Sequence, residues 1–235
     1  MKELISTPLF GITLSILAYE IGMFLNKKTK RAIFNPLFIS QIIIILFLLI
    51  SKLSVEEYSK GGQYISFFLT PATVVLAVPL YKKIKLLKAN AFPIMAGITA
   101  GSICGMISII LLGKLFGVSI IIKESLVPKS VTTPIGISVA SQLGGIPAVT
   151  VAAILITGIL GAVIGPNICK IFKIKDKIAI GIAMGTSTHA LGTTKAVELG
   201  ETEGAMSSLA VGIAGLITVI FAPLLVRIFT AMKLF

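Results

Sequence analysis

Ile42-Ile43-Ile44-Ile45-Leu46-Phe47-Leu48-Leu49-Ile50 is an unbroken apolar run, and stretches nearly as oily recur along the whole chain. A helix needs about 20 mostly apolar residues to cross the hydrocarbon of a bilayer. In lipid only helices and closed barrels satisfy their own backbone hydrogen bonds. On that measure the sequence predicts six full spans, at about 7–25, 33–51, 63–81, 90–113, 146–172 and 205–230. Only 13% of the residues are charged, against about 25% in soluble domains. The expected fold class is an all-α polytopic membrane protein, one transmembrane domain over residues 1–235, in the cell membrane. The apolar run from Thr7 to Leu25 is too long for a signal peptide and is followed by basic residues, so it reads as a retained helix.

The formal net charge of +12 does not point to nucleic acid. The basic residues form no stripe with interleaved aromatics. They collect in short loops: Lys27, Lys28, Lys30 and Arg31; Lys82, Lys83, Lys85 and Lys88; Lys170, Lys173, Lys175 and Lys177. Such loops face the cytoplasm and meet anionic lipid head groups. With all three loops on one side, segment 119–145 must start and finish on the opposite side. Segment 176–203 can then re-enter from the side of the basic loops.

These two segments are also where the oily pattern breaks. Pro128-Lys129-Ser130-Val131-Thr132-Thr133-Pro134-Ile135-Gly136 and Gly185-Thr186-Ser187-Thr188-His189-Ala190-Leu191-Gly192-Thr193-Thr194-Lys195 are rich in hydroxyls, glycine and proline. Irregular polar backbone at membrane depth persists only where protein shields it or where it lines a watery cavity. In transporters that cavity is commonly the substrate site. Pro71, Pro134, Gly136 and Gly192 mark the helix breaks, because proline removes a backbone donor. The shared Thr-Pro of Thr70-Pro71 and Thr133-Pro134 leaves an inverted repeat open as an alternative to chance. Small faces at four-residue spacing, Gly97/Gly101/Gly105, Gly161/Gly165 and Gly181/Gly185, read as close helix packing.

The polar inventory suits a small organic anion. Half-helix N-termini carry unpaired N–H groups and partial positive charge. Ser130, Thr132, Thr133, Ser187, Thr188, Thr193 and Thr194 add donors, and Lys129 adds charge. His189, the only histidine, is a donor or proton relay. Glu198 is a second candidate for proton coupling, whereas Glu201 and Glu203 read as solvated loop charges. No paired carboxylates, Ser-His-Asp set or P-loop occurs, so an enzyme is not expected. Cys104 and Cys169 have no metal spacing, and neither a metal nor a cofactor is implied.

Lys129-Ser130-Val131-Thr132-Thr133-Pro134-Ile135, Leu143-Gly144-Gly145-Ile146-Pro147, Thr157-Gly158-Ile159-Leu160-Gly161-Ala162 and Gly165-Pro166 occur in a familiar order. So do Gly185 to Thr193, Glu198, Gly204-Ala205 and Ser207-Ser208-Leu209. In these runs, and in Thr70-Pro71-Ala72-Thr73-Val74 to Val78-Pro79-Leu80-Tyr81, the chain resembles the LrgB/CidB family, which includes the C-terminal half of the plant plastid glycolate/glycerate transporter. The resemblance implies transport of monocarboxylates of the glycolate, glycerate, pyruvate or lactate class. It equally implies the alternative carried by the bacterial members' names, antiholin-like control of murein hydrolases and autolysis with a small holin-like LrgA/CidA partner. The glycine-rich faces also allow a homo-oligomer. One departure stands out: the family's Thr-Ala-Ser-His is Thr186-Ser187-Thr188-His189 here, which keeps a hydroxyl before the histidine.

Overall fold

The computed structural model describes residues 7–29, 34, 36–68, 71, 77–232 and 235, and every described element is helical. The chain divides into two compact units, residues 1–75 and 76–235.

In the first unit α1 (Pro8–Thr29), α2 (Pro36–Ser51) and α3 (Val55–Phe67) pack together. Gly11 and Gly61 let α1 and α3 cross backbone to backbone, since a Cβ on either would strike the other helix. Ser15 Oγ and the Tyr58 hydroxyl hydrogen-bond at 2.8 Å beside that crossing. Of the span expected at 63–81, the described residues show the end of α3 and the later helix Ala77–Lys82. Ser54 accepts from Glu57 N and Glu57 returns to Ser54 N, a capping box that starts α3 at Val55. The helix then closes at Phe68, whose N–H meets the Ile65 and Ser66 carbonyls. A hydropathy window overlooks such a cap because it averages over polar residues. The Thr70–Val74 break, Pro71 apart, lies outside the described residues.

The second unit holds α4 (Ala77–Lys82), α5 (Ile84–Ala89), α6 (Ala91–Leu115), α7 (Ile120–Leu126), α8 (Thr133–Leu143), α9 (Pro147–Ile171), α10 (Lys177–Leu199) and α11 (Glu201–Ala231). Among the described residues four helices, α1, α6, α9 and α11, are long and apolar enough to cross a membrane.

Side-chain contacts fix how these helices run. Gly97 of α6 faces Ile182, Gly101 faces Thr186, and Gly113 lies on the Lys123 side chain. So α6 starts at the end of the unit where α10 starts, near Asp176, and finishes beside α7. Helix α9 runs the other way. Ile146 N donates to Ser125 Oγ (2.7 Å) and Thr150 Oγ1 to the Ser125 carbonyl (2.9 Å), whereas Gly161 and Gly165 face Thr188 and Met184.

Segment 119–145 is a helical hairpin. Helix α7 runs in, residues 127–132 turn, and α8 returns, so that Gly144 comes back to Glu124 and Gly145 to Ser125. Pro134 takes an early position of α8, where its missing N–H costs nothing. Gly144, at φ 95°, ends the helix in the left-handed region, and Gly145 N bonds the Ala140 carbonyl at 2.8 Å.

Helix α10 is a hairpin too. Gly181 packs on Glu203 and Met206, and Gly185 on Ser207 and Ala210, so its first half climbs alongside α11. Beyond His189 the contacts descend again: Thr193 pairs with Ser207, and Val197 packs on Gly204. Gly192 lies against the Met184 carbonyl, whereas eight residues of straight helix would separate them by roughly 12 Å. The reversal sits at His189, with φ 45° and ψ −140°. Both ends of α10 therefore lie at the Asp176 end of the unit, where Lys83 Nζ also meets Glu201 Oε2 at 3.2 Å.

The unit's core is built of Ile94, Ile98, Met106 and Ile110 of α6, Val127, Val139, and Ala205 to Val226 along α11. Alanine and glycine dominate the α10–α11 seam, which lets the helices approach closely enough for dispersion to hold them in lipid. Glu203 departs from expectation. It is buried at the foot of α11 with its carboxylate folded against Gly200, because α10's return brings protein over it.

Candidate anion site at two hairpin tips

The two hairpins enter from opposite ends, and their tips meet near the middle of α6 and α9. Lys129 sits in the turn of the first. Ser187, Thr188 and His189 form the crest of the second. Beside them lies a cavity of about 730 Å³, reaching from Asn90 and Asp176 at one end of the unit to Lys129, Ser130 and Val131. Its wall on α6 is the stripe Pro93, Gly97, Gly101 and Gly105. The expectation that Gly97/Gly101/Gly105 is a packing face is corrected here in part. A Cβ at Gly105 would meet nothing, and one at Gly97 only Ile182 at ordinary contact. Gly97 and Gly105 make room, whereas Gly101 does pack, on the Thr186 side chain. Gly161, Gly165, Gly181 and Gly185 are the true packing faces.

Lys129 is half-buried, and its Nζ donates to Ser130 Oγ at 3.3 Å. Among the described residues no ion pair joins Lys129 to a carboxylate. An ammonium in such a place calls for an anion. Two further hydroxyls in the same wall, Ser102 Oγ and Thr186 Oγ1, are buried with no hydrogen-bond partner. A buried hydroxyl left without a partner costs about 1–3 kcal/mol. Both residues line the cavity, although the oxygens themselves are almost wholly covered. Asp176, at the mouth, is already engaged: its Oδ1 accepts from Ala179 N at 2.8 Å and caps α10.

The remaining candidates separate by position. Lys129, Ser130 and Ser187 line the cavity, and Lys129, Ser187 and Thr188 also line a neighbouring one. The Ser187 hydroxyl donates to the Ala183 carbonyl (2.6 Å), and Thr188 bonds the Met184 carbonyl, both capping the first half of α10. His189 is buried behind the crest. Its Nε2 donates to the Ile154 carbonyl at 3.0 Å, and its ring packs on Gly158. Thr193 Oγ1 donates to the His189 carbonyl (3.1 Å) and accepts from Ser207 Oγ (2.8 Å), which ties the descending half to α11. Thr194 donates to the Leu191 carbonyl, and Glu198 pairs with Lys195 at 2.7 Å on the exposed face. Thr132 caps α8 through its backbone, Thr133 opens that helix, Pro134 is exposed and Gly136 packs on Ile154. None of Thr132, Thr133, Thr193, Thr194 and Glu198 lines the cavity.

Sequence reasoning passed over Ser102, Thr186 and Asn90. The glycine stripe around Ser102 was the available signal, because a helix face of glycines beside one hydroxyl reads as easily as a cavity wall as it does as a seam.

Comparison with known proteins agrees along nearly the whole length. The model of the LrgB-like family matches residues 15–228. Proteins called "Antiholin-like protein LrgB" from Bacillus cereus and Bacillus anthracis are each 40% identical over 219 residues, covering 93% of this chain and 95% of theirs. No solved structure matches.

Proposed function

This chain belongs to the LrgB-like family of multi-pass membrane proteins, and from that premise we propose that it carries small monocarboxylates, of the glycolate, glycerate, pyruvate or lactate class, across the cell membrane. One observation carries the proposal: the Lys129 ammonium faces a 730 Å³ cavity with no carboxylate partner and two orphan hydroxyls in its wall. A carboxylate seated there takes charge-assisted bonds from Lys129, with Ser130 and Ser187 as neighbours. The polar atoms at its other end fall to Ser102 and Thr186. His189 holds the crest in place, and proton coupling through it or Glu198 is a separate question of mechanism.

The Asp176 end of the unit carries Lys82 to Lys88 and Lys170 to Lys177, which orients it toward the cytoplasm. The cavity then opens inward, and the buried residues Val127, Pro128 and Val131 shut the outer side. Carriage follows if the α7–α8 hairpin and the α10 hairpin part alternately around a bound anion.

The relatives' printed name, antiholin-like, favours a second reading, which the family resemblance fills out as a regulator of murein hydrolases and autolysis acting with a small holin-like LrgA/CidA partner. Proteoliposomes separate the two. Saturable exchange of labelled pyruvate, lactate, glycolate or glycerate by the purified chain supports carriage. Release of dyes of mixed size and charge, or activity only when the small partner is co-reconstituted, supports the second reading.

A further inference from the structure

The second cavity, about 410 Å³, is a groove between α9 and the rising half of α10. Leu160, Ile164 and Ile168 form its α9 wall and are 52%, 45% and 43% exposed, so the groove opens sideways to lipid. From Thr157 to Ile168 it is roughly 17 Å long at helical rise, close to the roughly 15 Å of one leaflet's hydrocarbon. Just past its open end, after Cys169, comes the loop with Lys170, Lys173, Lys175 and Lys177, all exposed. Among the described residues none of these lysines makes an ion pair, and Asp176, the loop's acid, is held by Ala179 N.

We propose that this groove is a site for one anionic phospholipid, its acyl chain lying between α9 and α10 and its phosphate on the Lys170–Lys177 loop. The apolar wall selects a chain, and the lysine cluster at leaflet-surface depth selects negative charge. The chain's tip ends beneath Lys129 and Ser187, which line both cavities, so a bound lipid props the crest beside the anion cavity. The site stands whether or not the chain carries monocarboxylates.

Native mass spectrometry of the full chain in detergent tests it. Phosphatidylglycerol and phosphatidylcholine with identical acyl chains are supplied in turn, with soluble glycerol phosphate as the head group alone. Phosphatidylglycerol is expected to be retained at least about tenfold more than phosphatidylcholine. The triple substitution Lys170→Gln, Lys173→Gln, Lys175→Gln removes that preference. Ile164→Trp fills the groove and lowers retention with the lysines intact. Lys27→Gln with Lys28→Gln, in another basic loop, leaves retention unchanged. Equal retention of the two lipids, undiminished retention in whichever groove or loop variant folds, equal loss in the Lys27/Lys28 control, or full displacement by glycerol phosphate would overturn the site.

Discussion

The Nε2 of His189 donates to the carbonyl of Ile154 at 3.0 Å, pinning the crest of the α10 hairpin to the middle of α9 across 35 residues of sequence. The only histidine thus stands where the chain turns back, in a backbone conformation (φ 45°, ψ −140°) that glycine adopts freely and other residues do not. Its ring holds the crest, and its backbone carries strain.

Two substitutions separate those contributions. His189→Ala keeps the strain and loses the ring, and is expected to lower stability by about 1–3 kcal/mol. His189→Gly also loses the ring but relieves the backbone, and should recover about 1 kcal/mol or more of that loss. Thermal denaturation in detergent compares them. An alanine variant as stable as the parent would mean that the ring bond contributes nothing.

Lys129→Gln removes the charge while keeping a polar side chain. Anion affinity is expected to fall about tenfold to a hundredfold, since a hydrogen bond to a charged group contributes about 1.5–3 kcal/mol. Lys129→Arg retains most of it. Tryptophan is absent from the chain, so titration calorimetry with a monocarboxylate is the direct readout. Equal affinity in Lys129→Gln would move the site elsewhere.

Ser102→Ala and Thr186→Val delete hydroxyls that have no hydrogen-bond partner in the protein. Most buried polar deletions destabilise, but these should leave stability unchanged or raise it by up to about 1 kcal/mol. Anion binding weakens in the same variants. Loss of stability in both would show that the hydroxyls have protein partners.

Gly161→Ala and Gly105→Ala pose opposite cases of one mutation. A methyl at Gly161 runs into Thr188, and the packed α9–α10 seam cannot give way cheaply; about 1–3 kcal/mol is expected. A methyl at Gly105 enters open cavity and should be tolerated for folding. Expression level and melting temperature rank the two, and the reverse order would contradict the assignment of seam and wall.

The membrane character and both hairpins were legible in the chain, because twenty-residue apolar runs and basic loops obey one-dimensional rules. The parity of Lys82–Lys88 and Lys170–Lys177 pointed to segment 119–145 starting and finishing on one side, and the structure folds it as a hairpin. Side-chain assignment was less legible. Thr193 and Thr194 sit in the same polar run as Ser187, yet the reversal at His189 turns Thr193 toward Ser207 and Thr194 to the exposed face. Glu203 looked solvated because its burial depends on α10 doubling back over it. The capping box at Ser54 and Glu57 was written in the sequence but masked by a hydropathy window.

The meeting of the two hairpin tips is tested most directly by pairing Lys129→Cys with Ser187→Cys in a Cys104→Ser, Cys169→Ser background. A short bifunctional thiol cross-linker is applied in membranes, with and without a saturating monocarboxylate. Efficient cross-linking that the carboxylate suppresses is the expected result, because both positions line one cavity, the one proposed to hold the anion. No cross-link in membranes where each single-cysteine variant still reacts would contradict the account.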